Sequence, residues 1–207
     1  MKPTIDWKWV KREIVRHEHI KKASILRALC EALNDARGLA QPKVVSALRP
    51  VPSIGIGGKR ITSYLKNAEK ACIFLVTIGG LLERAATKRM ASGDALEGYL
   101  LDKAGSLAAE SLAEVFEVNL RKEMARAGRS VSRRMSPGYC DWPIEDQLKL
   151  NRILRFSKAG VRLTQSRMMI PRKSVSGILG IGAKGVYSKA ESLCTTCRKK
   201  DCTYKRE

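Results

Sequence analysis

The stretch that most limits how this chain can fold is GDALEGYLLDKAGSLAAESLAEVFEVNLRKEMARAG, Gly93 to Gly128. It opens with a capping box, Asp94 to Glu97, and closes at a glycine, the residue that most easily adopts the left-handed conformation ending a helix. The pattern predicts one long helix or a helix pair, with Leu96, Leu100, Leu107, Leu112 and Phe116 facing a sheet. Strand-like segments flank it in sequence. ACIFLVTIGG reads as a buried strand running into a glycine turn, RSVSRRM as another, and VRLTQSRMMIP and SVSGILGIG as two more. Long helix and separate strands together indicate an α+β fold, a mixed or antiparallel sheet packed with helices.

Trp7 to His19 and Lys22 to Arg37 read as further helices, the second with Ile25, Leu26, Leu29 and Leu33 on one stripe. Pro42, Pro50, Pro52 and the glycines of GIGGK then make residues 38–58 the most loop-like stretch. A helix from Pro143 to Leu154 has its proline at a permitted first-turn position. No internal repeat is visible.

A chain of 207 residues suits one domain, possibly with appendages, and a domain of that size buries roughly 70% of its unfolded surface. Hydrophobic residues make up 44% of it, which argues against disorder. The apolar run CIFLVTIGGLL is too short to span a bilayer, and MKPTIDWKW lacks the apolar stretch of a secretory signal, so a cytoplasmic protein with no membrane partner is expected. The net charge of +20, from 40 basic and 20 acidic residues, favours a polyanion, an acidic membrane surface or an acidic protein. RKEMARAGRSVSRR and CRKKDCTYKR hold few aromatics to stack on bases, and no zinc-finger, KH or RNP signature is present.

Several motifs weaken on inspection. SIGIGGKR imitates a phosphate loop, but Ser53 stands where the first glycine is required and Arg60 follows the lysine, so it reads as a loop. His17 and His19, two residues apart, point to divergent sides of a helix and are expected at the surface. As the only histidines, they leave no serine or cysteine nucleophile an evident histidine partner, and a hydrolytic triad is not expected.

RRMSPGYCDWP, Arg133 to Pro143, places Arg134, Gly138 and Tyr139 in the pattern R-x-x-x-G-Y. Upstream stands AAESLAEVF with Glu114; downstream, MMIPRKSVSG is followed by Tyr187. This ordered set resembles the S-adenosylmethionine-binding activation domain of vitamin B12-dependent methionine synthase, from about Cys72 to Tyr187. The resemblance implies three regions: an N-terminal helical segment and loop over 1–69, an activation-like core over 70–190, and a basic cysteine-rich tail over 191–207.

It also implies roles, position by position. Arg134 would hold the ligand's carboxylate through its planar fork of donors. Gly138 would let the backbone approach the ligand, and Tyr139 and Tyr187 would border it with flat faces and hydroxyls. Glu114 would favour the cationic end, and Asp6, in IDW, resembles a second acidic contact. The residue two beyond the tyrosine, a backbone contact and typically alanine in the family, is Asp141 here.

In the family, an electron and a methyl group from S-adenosylmethionine restore methylcobalamin from cob(II)alamin. The domain's work is positioning, which needs no protein nucleophile. D-x-H-x-x-G, the pattern of a cobalamin lower-ligand site, is missing, so the cobalamin or other corrinoid would sit on a partner methyltransferase. The electron donor would be an acidic flavodoxin or ferredoxin, suited to a basic chain. Cys194, Cys197 and Cys202 form C-x2-C-x4-C, three ligands of the four usual for an iron–sulfur cluster or structural zinc. Cys140 is the candidate fourth, while Cys30 and Cys72 lie in apolar segments and are expected in the core. The competing readings are a basic nucleic-acid-binding protein with a small metal knuckle, and a corrinoid-protein chaperone with a vestigial pocket.

Overall fold

The computed structural model describes residues 3–187. Along the chain the elements are α1 Trp7–His17, α2 Ala23–Leu39, β1 Lys43–Pro50, α3 Lys59–Leu65, β2 Lys70–Thr77, α4 Leu81–Ala91, α5 Ala95–Arg126, β3 Arg129–Val131, α6 Gln147–Leu154, β4 Arg162–Leu163, β5 Met169–Ile170 and β6 Ser174–Ala183. The main sheet has the order β1-β2-β6-β3, with β3 antiparallel to β6, and β4 and β5 form a separate antiparallel pair. The fold is therefore α+β, as the sequence indicates. None of the described helices is long and apolar enough to cross a membrane.

The Gly93–Gly128 stretch forms a single helix of 32 residues, not a pair. Leu100, Leu112 and Phe116 are buried as expected, but Leu107 is half-buried and Leu96 is 48% exposed. Leu96 lies in the helix's first turn, where every residue before Gly98 faces solvent. Residues 38–58 are not simply a loop: they contain β1 and a 3-10 turn at Val51–Ile54. Prolines bracket this strand and hide it from a residue-by-residue reading, yet a half-exposed strand at the end of the sheet order tolerates Pro50. VRLTQSRMMIP, expected as one strand, folds back on itself because the Thr164 hydroxyl accepts the Met168 N–H at 3.0 Å and closes a turn. The segment after Pro143 begins as a 3-10 turn, Ile144–Asp146, before α6, and α3 and α4 are additions to the expected elements.

Two compact units share these elements, residues 3–44, 76–116 and 157–175 in one, and 45–75, 117–156 and 176–187 in the other. In the first, Val10, Ile14, Leu29, Leu33, Leu82 and Leu100 form an apolar core. Ion pairs hold its helices in register: Arg89 with Asp35 at 2.5 Å, and Lys103 with Glu18 at 2.6 Å. In the second, Ile73, Phe74 and Leu75 of β2 and Ile178 and Leu179 of β6 are fully buried. Each such side chain contributes roughly 1.5–3 kcal/mol relative to exposure.

β6 passes very close to the chain beyond β3. A Cβ added to Gly177 would lie 2.3 Å from the Met135 carbonyl oxygen and 3.1 Å from Phe74 Cε1. Since Met135 and Ile178 exchange backbone hydrogen bonds of 3.0 and 2.8 Å, any shift at Gly177 breaks them. Gly177→Ala should therefore lower unfolding free energy by roughly 1–3 kcal/mol, the range for overpacked cores, in urea denaturation.

Candidate functional site

The residues before Arg134 leave regular pairing with β6. Val131 pairs with Ile181 and Met135 with Ile178, so Ser132, Arg133 and Arg134 stand opposite only Leu179 and Gly180. One extra residue on one strand is a β-bulge, which locally re-aims side chains. Several of the displaced backbone groups find partners. Ser132 N–H donates to Gly180 O at 2.8 Å, and Gly180 N–H donates to the Ser132 hydroxyl, also at 2.8 Å, where a carbonyl would ordinarily stand. Arg133 N–H donates to the Tyr64 hydroxyl at 3.1 Å. The carbonyls freed at Val131 and Ser132 both accept from the Arg121 guanidinium of α5, the second at 2.7 Å.

The bulge breaks strand alternation, so that Arg133 is exposed while Arg134 and Met135 are both buried. Arg134 is 8% exposed, and its Nε lies 3.6 Å from Glu117 Oε2. Glu117, itself buried, accepts from Arg121 Nη2 at 2.7 Å through its other oxygen. Glu117 and Arg121 escaped the sequence reading. Their i, i+4 spacing on a helix is the signal that could have found them.

Past Met135 the chain turns tightly. Gly138 N–H donates to Trp142 O at 2.8 Å and Trp142 N–H to Tyr139 O at 2.9 Å. Gly138 has φ +93, and a Cβ there would meet only Ile144 Cδ1, at 3.5 Å. Glycine is thus required by backbone conformation within this turn, rather than by crowding. Asp141 accepts the Arg60 N–H at 2.9 Å, so its carboxylate ties the turn to the start of α3. That contact gives the aspartate a structural task of its own.

The same turn grips the GIGGK loop through Asp146. Its Oδ2 accepts the Gly57 N–H at 2.7 Å and the Trp142 indole N–H at 2.9 Å, while Lys149 pairs with Oδ1 at 2.6 Å and donates to Gly55 O, also at 2.6 Å. Burial raises the Asp146 pKa, but the Lys149 ammonium and the Gly57 and Trp142 N–H donors outweigh it and hold the carboxyl below its ordinary value.

Tyr187, just beyond β6, donates its N–H to the Ser130 hydroxyl at 3.1 Å and its own hydroxyl to Tyr64 O at 3.4 Å. The two tyrosine rings lie 6.0 Å apart at a 50° tilt. Burial, and then the neighbouring Tyr64, push the Tyr187 phenol up to about 12, so it stays protonated near neutral pH. Tyr64 was not singled out from sequence because α3, which carries it, was not expected.

Arg134, Gly138, Tyr139, Asp141 and Tyr187 belong to the second unit; Asp6 and Glu114 belong to the first. Asp6 N–H donates to the Ser111 hydroxyl at 2.8 Å, which fixes Asp6 to α5 one helical turn before the exposed Glu114. The Asp6 carboxylate caps α1, accepting from Lys8 and Trp9 N–H at 3.0 Å each. Cys140 is exposed, with φ +53. Cys194, Cys197 and Cys202 lie outside the described residues, and among the described residues no group of three or more histidine, cysteine or acidic side chains could hold a metal ion. Cys72 is buried, its thiol pushed up to about 12 by burial. Cys30, expected in the core, is instead exposed on α2, with Lys11 Nζ 3.3 Å from its sulfur, because it lies off the buried stripe of Leu29, Ala32, Leu33 and Ala36.

The Asp146 lock gives a test by pH. A carboxyl held below its unfolded pKa contributes stability at neutral pH that is lost as pH falls through its folded pKa. Asp146→Asn should therefore melt below the wild type at pH 7, by an amount that shrinks as pH is lowered below the ordinary carboxylate range; thermal melts across that range check it.

Comparison with known proteins bears on the fold and the family. No curated protein matches the chain. Among solved structures, the crystal structure of the MetH reactivation domain bound to AdoHcy is similar in fold, with a TM-score of 0.62 and 16% sequence identity over 85% of this chain and 73% of that one. The family model of the vitamin B12-dependent methionine synthase activation domain matches residues 62–196, a span holding the bulge, the R-x-x-x-G-Y turn and Tyr187. With most of its length matched, the chain belongs to the family of vitamin B12-dependent methionine synthase activation domains.

Proposed function

We propose that this chain binds S-adenosylmethionine and supports reductive methylation of a corrinoid carried by a partner methyltransferase. The observation that carries the reading is the R-x-x-x-G-Y turn seated on a β-bulge within the family match. In this reading Arg134 binds the methionine carboxylate. Gly138 and the Asp141 backbone line the approach, and Tyr139 and Tyr187 flank the ligand.

The reaction asks the protein for placement rather than proton transfer. One electron from the donor converts cob(II)alamin to its nucleophilic cob(I) form, whose electron pair attacks the sulfonium methyl. The carbon–sulfur bond breaks as the cobalt–carbon bond forms, and S-adenosylhomocysteine leaves. Holding a sulfonium in line with a second molecule's nucleophile is work for fixed side chains, and orientation of this kind lowers a barrier without any acid or base. Tyr187, protonated near neutral pH, suits such a site because it adds no negative charge of its own.

Calorimetry with S-adenosylmethionine tests the ligand. Wild type should bind, and Arg134→Ala should weaken binding by about 1.5–3 kcal/mol, the scale of a hydrogen bond to a charged group. Equal affinities would remove Arg134 from the site, and no binding by either protein would overturn the reading.

The net charge of +20 supports acidic partners, both the corrinoid protein and an electron donor of flavodoxin or ferredoxin type. Raising salt from about 0.05 to about 0.5 M should slow association with the corrinoid partner by stopped-flow far more than it changes dissociation. An association rate indifferent to salt would contradict steering.

A further inference from the structure

We infer that the β4–β5 hairpin is a docking surface for an acidic protein engaged transiently; in the functional reading above, on which this rests, that protein is the electron donor. From Gln147 to Tyr187 the chain has no acidic residue, and Lys158, Arg162 and Arg167 of that run fall in the first unit. Their side chains have no hydrogen-bond or ion-pair partner among the described residues. Arg172 and Lys173, which follow in the same run, are by contrast paired with Glu83 and Asp102. The unmatched charge is therefore concentrated at the hairpin.

The hairpin's own geometry displays that charge. β4 and β5 pair with each other outside the main sheet, with Arg162 opposite Ile170. Side chains two apart on a strand share a face, so Met168 joins Arg162 and Ile170 on one side. Arg162 is exposed, and Met168 is 54% exposed. The turn closes as Thr164 N–H donates to Met168 O at 2.8 Å and Arg167 N–H to Thr164 O at 3.0 Å, and it holds Arg167 at φ +68. Glycine or asparagine adopts that conformation more readily, so stability alone would not place an arginine there.

An exposed methionine beside two unmatched arginines suits a protein that surrounds an apolar spot with carboxylates, since methionine and arginine are both enriched in protein interfaces. The hairpin has no aromatic side chain to stack on a base. A hairpin this short supplies far fewer than the roughly 20–30 residues a side of a stable interface, which matches a brief redox encounter rather than a lasting complex.

Stopped-flow association with an acidic flavodoxin at about 0.05 M salt, together with thermal melts, tests the surface. Arg167→Asn should melt no lower than wild type, because asparagine suits the turn, yet associate about threefold more slowly, the scale of one exposed ion pair. Arg27→Gln, which removes an exposed charge from α2, should associate as wild type does. Met168→Ser should dissociate faster while its association keeps the wild-type salt dependence. Equal association by wild type and Arg167→Asn, equal slowing in Arg27→Gln, a lowered melting temperature in Arg167→Asn, or unchanged dissociation in Met168→Ser would overturn the inference alone. Tighter binding of a single-stranded RNA than of flavodoxin, lost in Arg167→Asn, would assign the hairpin to nucleic acid instead. Wild type that does not bind flavodoxin would overturn the donor reading and the inference with it.

Discussion

The second unit depends on one extra residue in a strand. Between Val131 and Met135 the chain has three residues where β6 offers two, and the surplus must go somewhere. A bulge of this kind strands backbone donors and acceptors inside the protein, where an unmade hydrogen bond is expensive. The partners that satisfy them come from three elements: the Ser132 hydroxyl within the bulge, the Tyr64 hydroxyl on α3 and the Arg121 guanidinium on α5. The same requirement that keeps the bulge from unravelling thus ties α3 and α5 to the backbone just before Arg134. The buried arginine is a consequence of sheet geometry before it is a feature of a site.

Much of this could be read from the sequence where periodicity is strong, and little where it is broken. The long α5 and the buried β2 and β6 carry dense apolar patterns that leave few alternatives. β1 was masked by its prolines, and α3, seven residues long, is too short to show a period. Missing α3 meant missing Tyr64. The family was legible in the ordered motif holding Arg134, Tyr139 and Tyr187, and the turn in Gly138, whose positive φ favours glycine. Glu117 and Arg121 were not, because ion pairs at helical spacing are ordinary on exposed helix faces, and only the fold shows that this pair is turned inward.

Asp141 and Asp146 show how a departure from a family's pattern can be absorbed. An acid two residues after the turn tyrosine keeps its negative charge when a neutral donor binds it, but the bond fixes where that charge points. The Arg60 N–H directs the Asp141 carboxylate to the start of α3, and Asp146 takes Gly57 and Trp142 N–H together with the Lys149 ammonium. Asp146 joins the GIGGK loop to the turn, and Asp141 joins the turn to the start of α3. The glycine-rich loop that imitates a phosphate cradle donates Gly57 N–H inward to an aspartate, an arrangement opposed to binding an anion at that position.

In the proposed site the groups around Arg134 are held in place by the protein itself. Arg121 and Glu117 constrain Arg134, burial keeps Tyr187 protonated, and Gly138 sets the course of the chain between them. Preorganisation of this kind reduces the ordering that binding must otherwise supply, and it keeps fixed dipoles aimed while charge moves elsewhere. On the proposed function, a protein that only positions a reactive methyl group has no other means of accelerating the transfer. It follows that rigidity around Arg134, rather than any chemically reactive side chain, is the property on which activity in this family member would depend.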